Sequence, residues 1–421
     1  MKYKILLFLF AGLLLALNAK GQDFWELLPF PDVDIGDVAV NAQGDIFVGT
    51  LDTYSNGVYR STDSGQTWEQ VLNTGTFQIN AVAINSLGYI YAHSNGFDNL
   101  WKSTDNGDSW QLLNWSTASG ISRFYCLGGD SLLIGCVAGG ATLLRTPDGC
   151  LTFDTLYRET THVAERISDI AVAPNGDIYF GLMCFFPNQG GVYKSTDQGA
   201  TWQEVGLINH QVQAVEINEQ GDVFIGVYYD FLQGAGGLYA LYHDSTGIDT
   251  CLYGPEVNGI AINSAGDIYA GIGNPNGIIR SFDNGLIFTQ IDSGLPWGAM
   301  GELVADNEDY MYVCTSVPSP YLYRSAKSTI TSASKSYPTL KAFNILTNPV
   351  RDRLTGIFSG SVPGNQCRAI IQSIDGRIIE NKAVEVTNNY IELNVSPLLP
   401  GVYLLTVTDN KGRYTEKFIK L

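Results

Sequence analysis

The chain has 421 residues, and its 42 acidic residues outnumber its 24 basic residues to give a formal net charge of −18. That charge disfavours nucleic acids and anionic membrane surfaces as partners. The length exceeds what one ordinary hydrophobic core supports, although a closed array of repeats can reach it as one domain.

The first 21 residues have the features of a secretory signal peptide. Lys2 and Lys4 precede an apolar run over residues 5–17, and Ala19-Lys20-Gly21 offers a small-x-small cleavage site. A transmembrane anchor is the alternative, but the run of about 13 residues is shorter than the roughly 20 that a spanning helix needs. We therefore expect removal of residues 1–21, no transmembrane segment, and a protein that is secreted or on the outer cell surface.

One eight-residue phrase recurs within residues 61–288. It reads STDSGQTW from Ser61, STDNGDSW from Ser103 and STDQGATW from Ser195, with weaker copies from Thr146 and Ser281. Each copy belongs to a longer unit of four short strands, and the units share a turn position occupied by Gly44, Gly88, Gly129, Gly176, Gly221, Gly266 and Asp309. Four short strands about every 45 residues are typical of β-propeller blades. The sequence predicts an all-β fold, with a seven-bladed β-propeller of four-stranded blades over residues 22–325.

The seventh unit lacks a fourth strand of its own. It stops at Tyr323-Arg324-Ser325, whereas the segment over residues 23–28 resembles the fourth strands TWEQVL and SWQLLN. We predict that this N-terminal strand pairs with residues 321–324 and closes the last blade, which would remove an exposed sheet edge. A loose N-terminal segment is the alternative.

The aspartates of the recurring phrase are predicted to be structural. An Asp side chain accepts hydrogen bonds from amides just ahead of it, and the Gly two positions later supplies a positive φ. The closing Trp or Phe offers an apolar plate for packing between blades. The residues concerned are Asp63, Asp105, Asp148, Asp197 and Asp283.

These phrases resemble the Asp-box (BNR) repeats of sialidase-like, sortilin-like and photosystem-assembly-factor-like propellers. The resemblance covers residues 23–325 and implies the fold. It implies little about function, because such propellers host many activities on one scaffold.

The composition changes after Ser325. Residues 326–342 are rich in Ser, Thr and Lys and are predicted to form a linker. Alternating strands and turn dipeptides over residues 343–421 then predict a small β-sandwich.

Three phrases of this C-terminal region resemble the type IX secretion sorting domain of Bacteroidetes. They are NPVRD from Asn348, LPGVY from Leu399 and the terminal KFIK from Lys417; the family usually has Pro where this chain has Thr347. The resemblance implies partnership of residues 343–421 with the type IX secretion machinery, transport across the outer membrane, and release or attachment at the cell surface. An immunoglobulin-like binding module is the alternative.

No catalytic set stands out in the sequence. There is no GxSxG, HExxH or GxxxxGK[ST] motif, the seven cysteines and four histidines lack metal-ligand spacing, and we expect neither cofactor nor metal. One disulfide remains possible from the sequence, with no pair assigned. A sialidase would require a cluster of three arginines and an Arg-Ile-Pro phrase; the phrase is absent, and Arg123, Arg158 and Arg166 fall within one blade and its following connection. Other glycoside hydrolases need two carboxylates across a cleft, for which the acids considered to lie in loops are Asp52, Asp98, Glu165, Asp230 and Glu302.

Aromatic residues in the loops indicate a binding face. In the predicted strand order, the second-to-third strand loops and the blade-to-blade connections open on one face, opposite the Asp phrases. The predicted binding residues there are Tyr54, Phe97, Trp115, Phe185, Phe186, Tyr228, Tyr229 and Trp297, with Phe231 beside them. Such rings suit a glycan or a protein partner, although some of them could simply plug the loop bases. The sequence thus favours a non-catalytic binding propeller, with a loop-carboxylate hydrolase and a scaffold without small ligand as alternatives.

Overall fold

The structure is a computed structural model and describes residues 23–52, 55–95, 99–114, 120–137, 140–159, 166–187, 189–230, 234–243, 247–273, 276–296, 300–315, 321–330, 343–345, 350–351, 353–358, 366–373, 377–386, 390–408 and 413–420. Every helix or strand assigned within these ranges is a β-strand. The chain divides into two compact units, Met1–Ile330 and Thr331–Leu421. The predicted signal peptide lies outside the described residues.

The strands of the first unit follow one another as antiparallel meanders of four. Meander 1 is β2–β5 (Ile35–Val40, Ile46–Thr50, Asn56–Ser61, Glu69–Gly75), and meander 2 is β6–β9 (Gln78–Ile84, Ile90–Asn95, Asn99–Ser103, Gln111–Asn114). Meander 3 is β10–β13 (Gly120–Gly128, Ser131–Val137, Thr142–Thr146, Asp154–Arg158), and meander 4 is β14–β17 (Arg166–Val172, Ile178–Met183, Gly191–Ser195, Gln203–Gly206). These two meanders belong to one eight-stranded sheet, because β11 pairs with β14 at Val137 and Arg166. Meander 5 is β18–β21 (His210–Ile217, Val223–Asp230, Gly236–Leu241, Asp249–Gly254), and meander 6 is β22–β25 (Val257–Ile262, Ile268–Gly273, Asn276–Ser281, Thr289–Gln290). Meander 7 combines β26–β28 (Met300–Ala305, Met311–Thr315, Tyr321–Ser325) with β1 (Trp25–Leu27).

The second strand of a meander is largely buried. Strands β3 (IFVGT) and β27 (MYVCT) are buried at every position, whereas the fourth strand β5 is partly exposed along its length. A strand that is covered on both faces has an almost continuously apolar sequence, because neither face meets water. The buried side chains join neighbouring meanders: Phe47 of meander 1 lies in one cluster with Ile79 and Ile90 of meander 2. Much of the core therefore lies between the meanders.

The described first strands form a closed circle. Each of β2, β6, β10, β14, β18 and β22 contacts the next in this order, β22 contacts β26, and β26 contacts β2. The N-terminal strand β1 pairs with β28, Trp25 opposite Ser325 and Leu27 opposite Tyr323, as the sequence predicts. Trp25 is 2% exposed, and its indole Nε1 donates to the carbonyl of Ile291 at 2.6 Å. The start of the described chain is thus built into meander 7.

The Asp phrases form the turns between third and fourth strands. Oδ2 of Asp63 accepts a hydrogen bond from the Thr67 hydroxyl at 2.6 Å, and Oδ1 accepts from the Thr67 amide at 2.8 Å. These bonds from Thr67 lower the pKa of Asp63 to about 2, because they stabilise its carboxylate form. Gly65 has a φ of 85°. The corresponding carboxylates accept an amide four residues ahead at Asp105, Asp148, Asp197 and Asp283.

The residues directly after β28 stay with the first unit. The amide and the hydroxyl of Thr329 each donate to the carbonyl of Asp309 at 2.7 Å. Asn263 Nδ2 donates to Thr329 Oγ1 at 3.0 Å, just as Asn41 Nδ2 donates to Oδ1 of the Asp-phrase residue Asn106 at 2.9 Å. Thr329 therefore takes the place of an Asp-phrase residue in meander 7. The sequence assigns residues 326–342 to a linker; residues 326–330 contact the first unit, and residues 331–342 lie outside the described residues.

The second unit contains two antiparallel sheets. One has the order β29–β30–β33 (Phe343–Ile345, Arg353–Phe358, Tyr390–Asn394), and the other has the order β32–β31–β34–β35 (Ile378–Glu385, Gln366–Ser373, Gly401–Thr408, Arg413–Lys420). Leu354 and Ile391 of the first sheet share a buried cluster with Ile371, Leu405 and Phe418 of the second. The two sheets therefore share a hydrophobic core.

The cysteines are free thiols in this structure. Burial raises the pKa of Cys126, Cys136 and Cys150 to about 12, so these three are protonated at neutral pH. The described part of the chain holds no helix with the length and hydropathy of a membrane span. Within those same residues, no group of His, Cys, Asp and Glu side chains is arranged to hold a metal ion.

Candidate functional site

A polar cavity of about 350 Å³ lies at the centre of the circle of first strands. Strands β2, β6, β10, β14, β18, β22 and β26 all contribute to its lining. The pairing register of each of these strands shifts near its start, so an extra residue bulges there. The bulged residues that line the cavity include Asn80, Ser122, Ser168, Gln213 and Asn258.

The positions just after these bulges form a ring. Its members are Asp37, Ala81, Arg123, Asp169, Ala214, Gly259 and Glu302. Arg123 is the only cation of the ring. The Arg123 Nε lies 2.8 Å from Asp169 Oδ1, and its two terminal nitrogens lie 2.6 Å from Glu302 Oε1 and 3.9 Å from Asp37 Oδ1. The small ring residues Ala81, Ala214 and Gly259 leave room for the Arg123 side chain to reach across the ring.

Burial and neighbouring charges together shift the pKa values of the ring and of the nearby Glu216. Burial disfavours the charge of Arg123, but the carboxylates of Asp169, Glu302 and Asp37 outweigh it and raise its pKa well above the usual value. Burial, followed by the charge of Glu302, raises the pKa of Asp37. On β18, burial and the charge of Asp169 raise the pKa of Glu216 to about 8. The ring thus concentrates carboxylates around one arginine.

Two ring carboxylates also join neighbouring meanders. Asp37 Oδ2 accepts from the amide of Val82 at 2.8 Å, and Asp169 Oδ2 accepts from the amide of Val215 at 2.9 Å. Each of these bonds runs from one first strand to the next. The ring is therefore part of what holds the first strands together.

The predicted aromatic residues are partly described. Phe185 and Phe186 follow β15 and are 51% and 57% exposed, and Tyr228 and Tyr229 at the end of β19 are each 37% exposed. Between the two pairs, the Cys184 thiol donates to the carbonyl of His210 at 3.6 Å and links meander 4 to meander 5. We name Phe185, Phe186, Tyr228 and Tyr229 the aromatic ledge. The other predicted binding residues, Tyr54, Phe97, Trp115 and Trp297, lie outside the described residues, as does Phe231.

The ledge and the cavity lie at the same end of the meanders. Leu51 and Val137, which line the cavity, stand at the ends of second strands, as the ledge residues do. We call this the upper end; the Asp phrases lie at the opposite, lower end. The upper end thus combines exposed rings with a polar cavity.

The loop placement of the candidate acids needs correction. Glu302 lies within strand β26 and lines the cavity, because the bulge in β26 places it in the ring. Asp230 is the last residue of β19, is 1% exposed, and lies 3.6 Å from His210 Nε2. Asp52 does not line the cavity, and Asp98 and Glu165 lie outside the described residues.

Sequence reasoning missed the ring. It considered Arg123 only as a possible sialidase arginine and did not consider Asp37 or Asp169. It also assigned Arg166 to the connection after its blade, whereas Arg166 begins β14. A charged residue inside an apolar first strand, as in IGDVAV and RISDIAV, is the signal that could have found these positions.

Comparisons with known proteins identify a family for the C-terminal residues and similar folds among solved structures. Residues 344–421 match the family of secretion system C-terminal sorting domains. No curated protein sequence matches the chain. Similar solved structures include YCF48 bound to D1 peptide, with a TM-score of 0.56 and 15% identity over 75% of this chain and 99% of that one.

Two further similar structures match more than nine-tenths of this chain. PorZ of Porphyromonas gingivalis, a surface component of the type IX secretion system, has a TM-score of 0.53 and 15% identity over 94% of this chain and 61% of that one. The extracellular domain of BT4673 from B. thetaiotaomicron has a TM-score of 0.57 and 14% identity over 93% of this chain and 52% of that one. At such identities these likenesses show the fold alone. The chain therefore ends in a sorting domain of the type IX secretion system, which directs export to the cell surface or secretion, and its structural neighbours are β-propeller proteins.

Proposed function

We propose that this protein is a secreted or cell-surface seven-bladed Asp-box β-propeller that binds a glycan or a protein without catalysing a reaction on it. In this proposal the seven meanders are the blades, residues 343–421 form the C-terminal β-sandwich, and residues 1–21 are removed as a signal peptide. The type IX machinery recognises the C-terminal domain and is the partner in export.

The observation that carries the binding role is the aromatic ledge. Four large rings on two adjacent meanders are between 37% and 57% exposed, although burial would favour each of them. A stacked ring adds on the order of 1 kcal/mol to binding, so several rings must act together for useful affinity. The Cys184–His210 contact links the end of β15 to the start of β18, where Gln211 pairs with Tyr229, and such a link would reduce the ordering cost of a joint site.

A carbohydrate-active hydrolase is the second candidate function. Asp37, Asp169 and Glu302 converge on one cavity, and a raised carboxyl pKa such as that of Asp37 suits a general acid. Against this, Arg123 ties the three carboxylates to one another, and two of them accept backbone amides. These ion pairs and hydrogen bonds favour a structural role for the ring over a catalytic one.

A glycan array probed with the full chain, beside a pull-down of surface proteins, tests the binding role. The triple variant Phe186→Ala, Tyr228→Ala, Tyr229→Ala is expected to lose the captured ligand while keeping the wild-type melting temperature. The matched control changes Leu151, Phe282 and Ile287 to Ala, since these residues are 56–75% exposed at the lower end. Normal ligand binding by the folded ledge variant would contradict the proposal, as would turnover of a bound glycan.

A further inference from the structure

One arginine of the cavity has no counter-ion. Arg166 lines the cavity at the start of β14, yet it forms no ion pair or side-chain hydrogen bond among the described residues. Its Nε is buried without a hydrogen-bond partner, and burial lowers its pKa. Arg166 is half-buried, and an arginine Nε–H that is buried without an acceptor is costly.

The cavity carboxylates are already engaged, in contrast to Arg166. Asp37 and Asp169 each accept a backbone amide from the next meander. Glu302 and Asp169 are held by Arg123 at 2.6 and 2.8 Å. The three carboxylates of the cavity are thus engaged by described residues, whereas Arg166 is not.

Two half-buried amides of the same cavity also lack hydrogen bonds to the described residues. Gln213 and Asn258 bulge from the first strands of meanders 5 and 6 and line the same cavity. Neither side chain forms a hydrogen bond with any described residue, whereas the bulged Asn80 donates to the carbonyl of Ile121 at 2.6 Å. A carboxamide both donates and accepts, which suits hydroxyl groups.

We propose that the cavity binds a small hydroxylated monocarboxylate of the sugar-acid class, with Arg166 pairing the carboxylate and Gln213 and Asn258 bonding the hydroxyls. A planar carboxylate matches the guanidinium fork and would supply the acceptors that Arg166 lacks. The volume of about 350 Å³ suits a monosaccharide-sized ligand. The net charge of −18 and the ring carboxylates exclude polyanions from such a site. This inference rests on the proposed non-catalytic binding role but does not need the aromatic ledge.

Titration calorimetry of the full chain tests the site. The probes are D-glucuronate, D-glucose as the neutral match, and acetate as the carboxylate without hydroxyls. We expect glucuronate to bind about tenfold or more tightly than either of the others, because hydrogen bonds to a charged group and to hydroxyls both contribute. Equal binding of glucose and glucuronate, or no binding of glucuronate, would overturn the proposal.

Substitutions of the lining residues test which of them bind glucuronate. Arg166→Gln is expected to weaken glucuronate binding about tenfold or more, whereas Arg158→Gln, which changes an exposed arginine outside the cavity, is expected to leave it unchanged. Should Arg166→Gln fail to fold, the double variant Gln213→Ala, Asn258→Ala decides: it should weaken glucuronate binding and leave acetate binding unchanged. Wild-type glucuronate affinity in either folded variant would refute the assignment. The ledge triple variant should still bind glucuronate, which separates failure of this site from failure of the proposed function.

Discussion

Replacing Arg123 by Met tests whether the ring of charges holds the first unit together. The variant keeps much of the side-chain bulk but removes the cation between Asp37, Asp169 and Glu302. Three carboxylates would then share one cavity without the cation that pairs with them. Since like charges at close range repel in a poorly solvated site, the folded state should lose stability.

The contacts of Arg123 set the size of the loss. Two of them, at 2.6 and 2.8 Å, are charged hydrogen bonds, each contributing about 1.5–3 kcal/mol. The third, at 3.9 Å, is too long for a hydrogen bond and adds only a weaker attraction. The sum of about 3–6 kcal/mol agrees with the 3–5 kcal/mol typical of removing one partner of a buried ion pair. We therefore expect the free energy of unfolding to fall by about 3–5 kcal/mol at pH 8.

The pH dependence has a definite sign. The folded-state pKa values of Asp37 and Glu216 are raised, so their contribution to stability is present below the unfolded pKa and is lost as pH rises through the folded pKa. Removing Arg123 raises the carboxyl pKa values further, because the nearby positive charge is gone. The loss caused by Arg123→Met should consequently be larger at pH 8 than at pH 5, where the carboxylates take up protons.

Urea unfolding followed by tryptophan fluorescence measures this effect. All seven tryptophans precede residue 331, so the signal reports on the first unit alone. Arg158→Met serves as the control, because Arg158 is exposed at the end of β13. A free energy of unfolding that matches the wild type at pH 8, or a loss that is the same at both pH values, would refute the reasoning.

Three further predictions concern closure, the Asp phrase and the domain boundary. Trp25→Ala should lower the free energy of unfolding by about 3–5 kcal/mol in urea titrations, whereas Leu27→Ala in the same strand should cost less than about 0.5 kcal/mol, because Leu27 is 54% exposed; equal effects would show that β1 is not integral to meander 7. Asp105→Ala should lower the melting temperature in scanning calorimetry, since the Ser109 amide and hydroxyl lose their acceptor, and glycan-array binding should persist; loss of binding in the folded variant would place the site at the lower end. Removing residues 343–421 should leave the fluorescence-detected unfolding midpoint unchanged while the protein accumulates in the periplasm; arrival at the cell surface would contradict the sorting role.

Much of the fold was predictable because its signals are local. The hydrogen bonds that the Asp63 carboxylate accepts come from residues at most four positions away, so each copy of the phrase shows its turn directly in the sequence. The pairing of β1 with β28 could also be predicted, because residues 23–28 repeat the pattern of a fourth strand that meander 7 lacks. In the same way, short phrases near the C-terminus identified the sorting domain that residues 344–421 match.

The sequence by itself determined the repeated strands and their turns, because each of these depends on residues close together in the chain. It left open whether the aromatic pairs are exposed, which the structure decided. The tertiary structure alone decided which polar residues meet at the centre. Arg123 and Glu302 are 179 residues apart, and no local pattern relates them. They meet because the first strands close into a circle and because a bulge in each strand turns one residue toward the cavity. Closure of the circle therefore creates the ring of charges and places Arg166 in the lining of the cavity, where it forms no ion pair with a described residue.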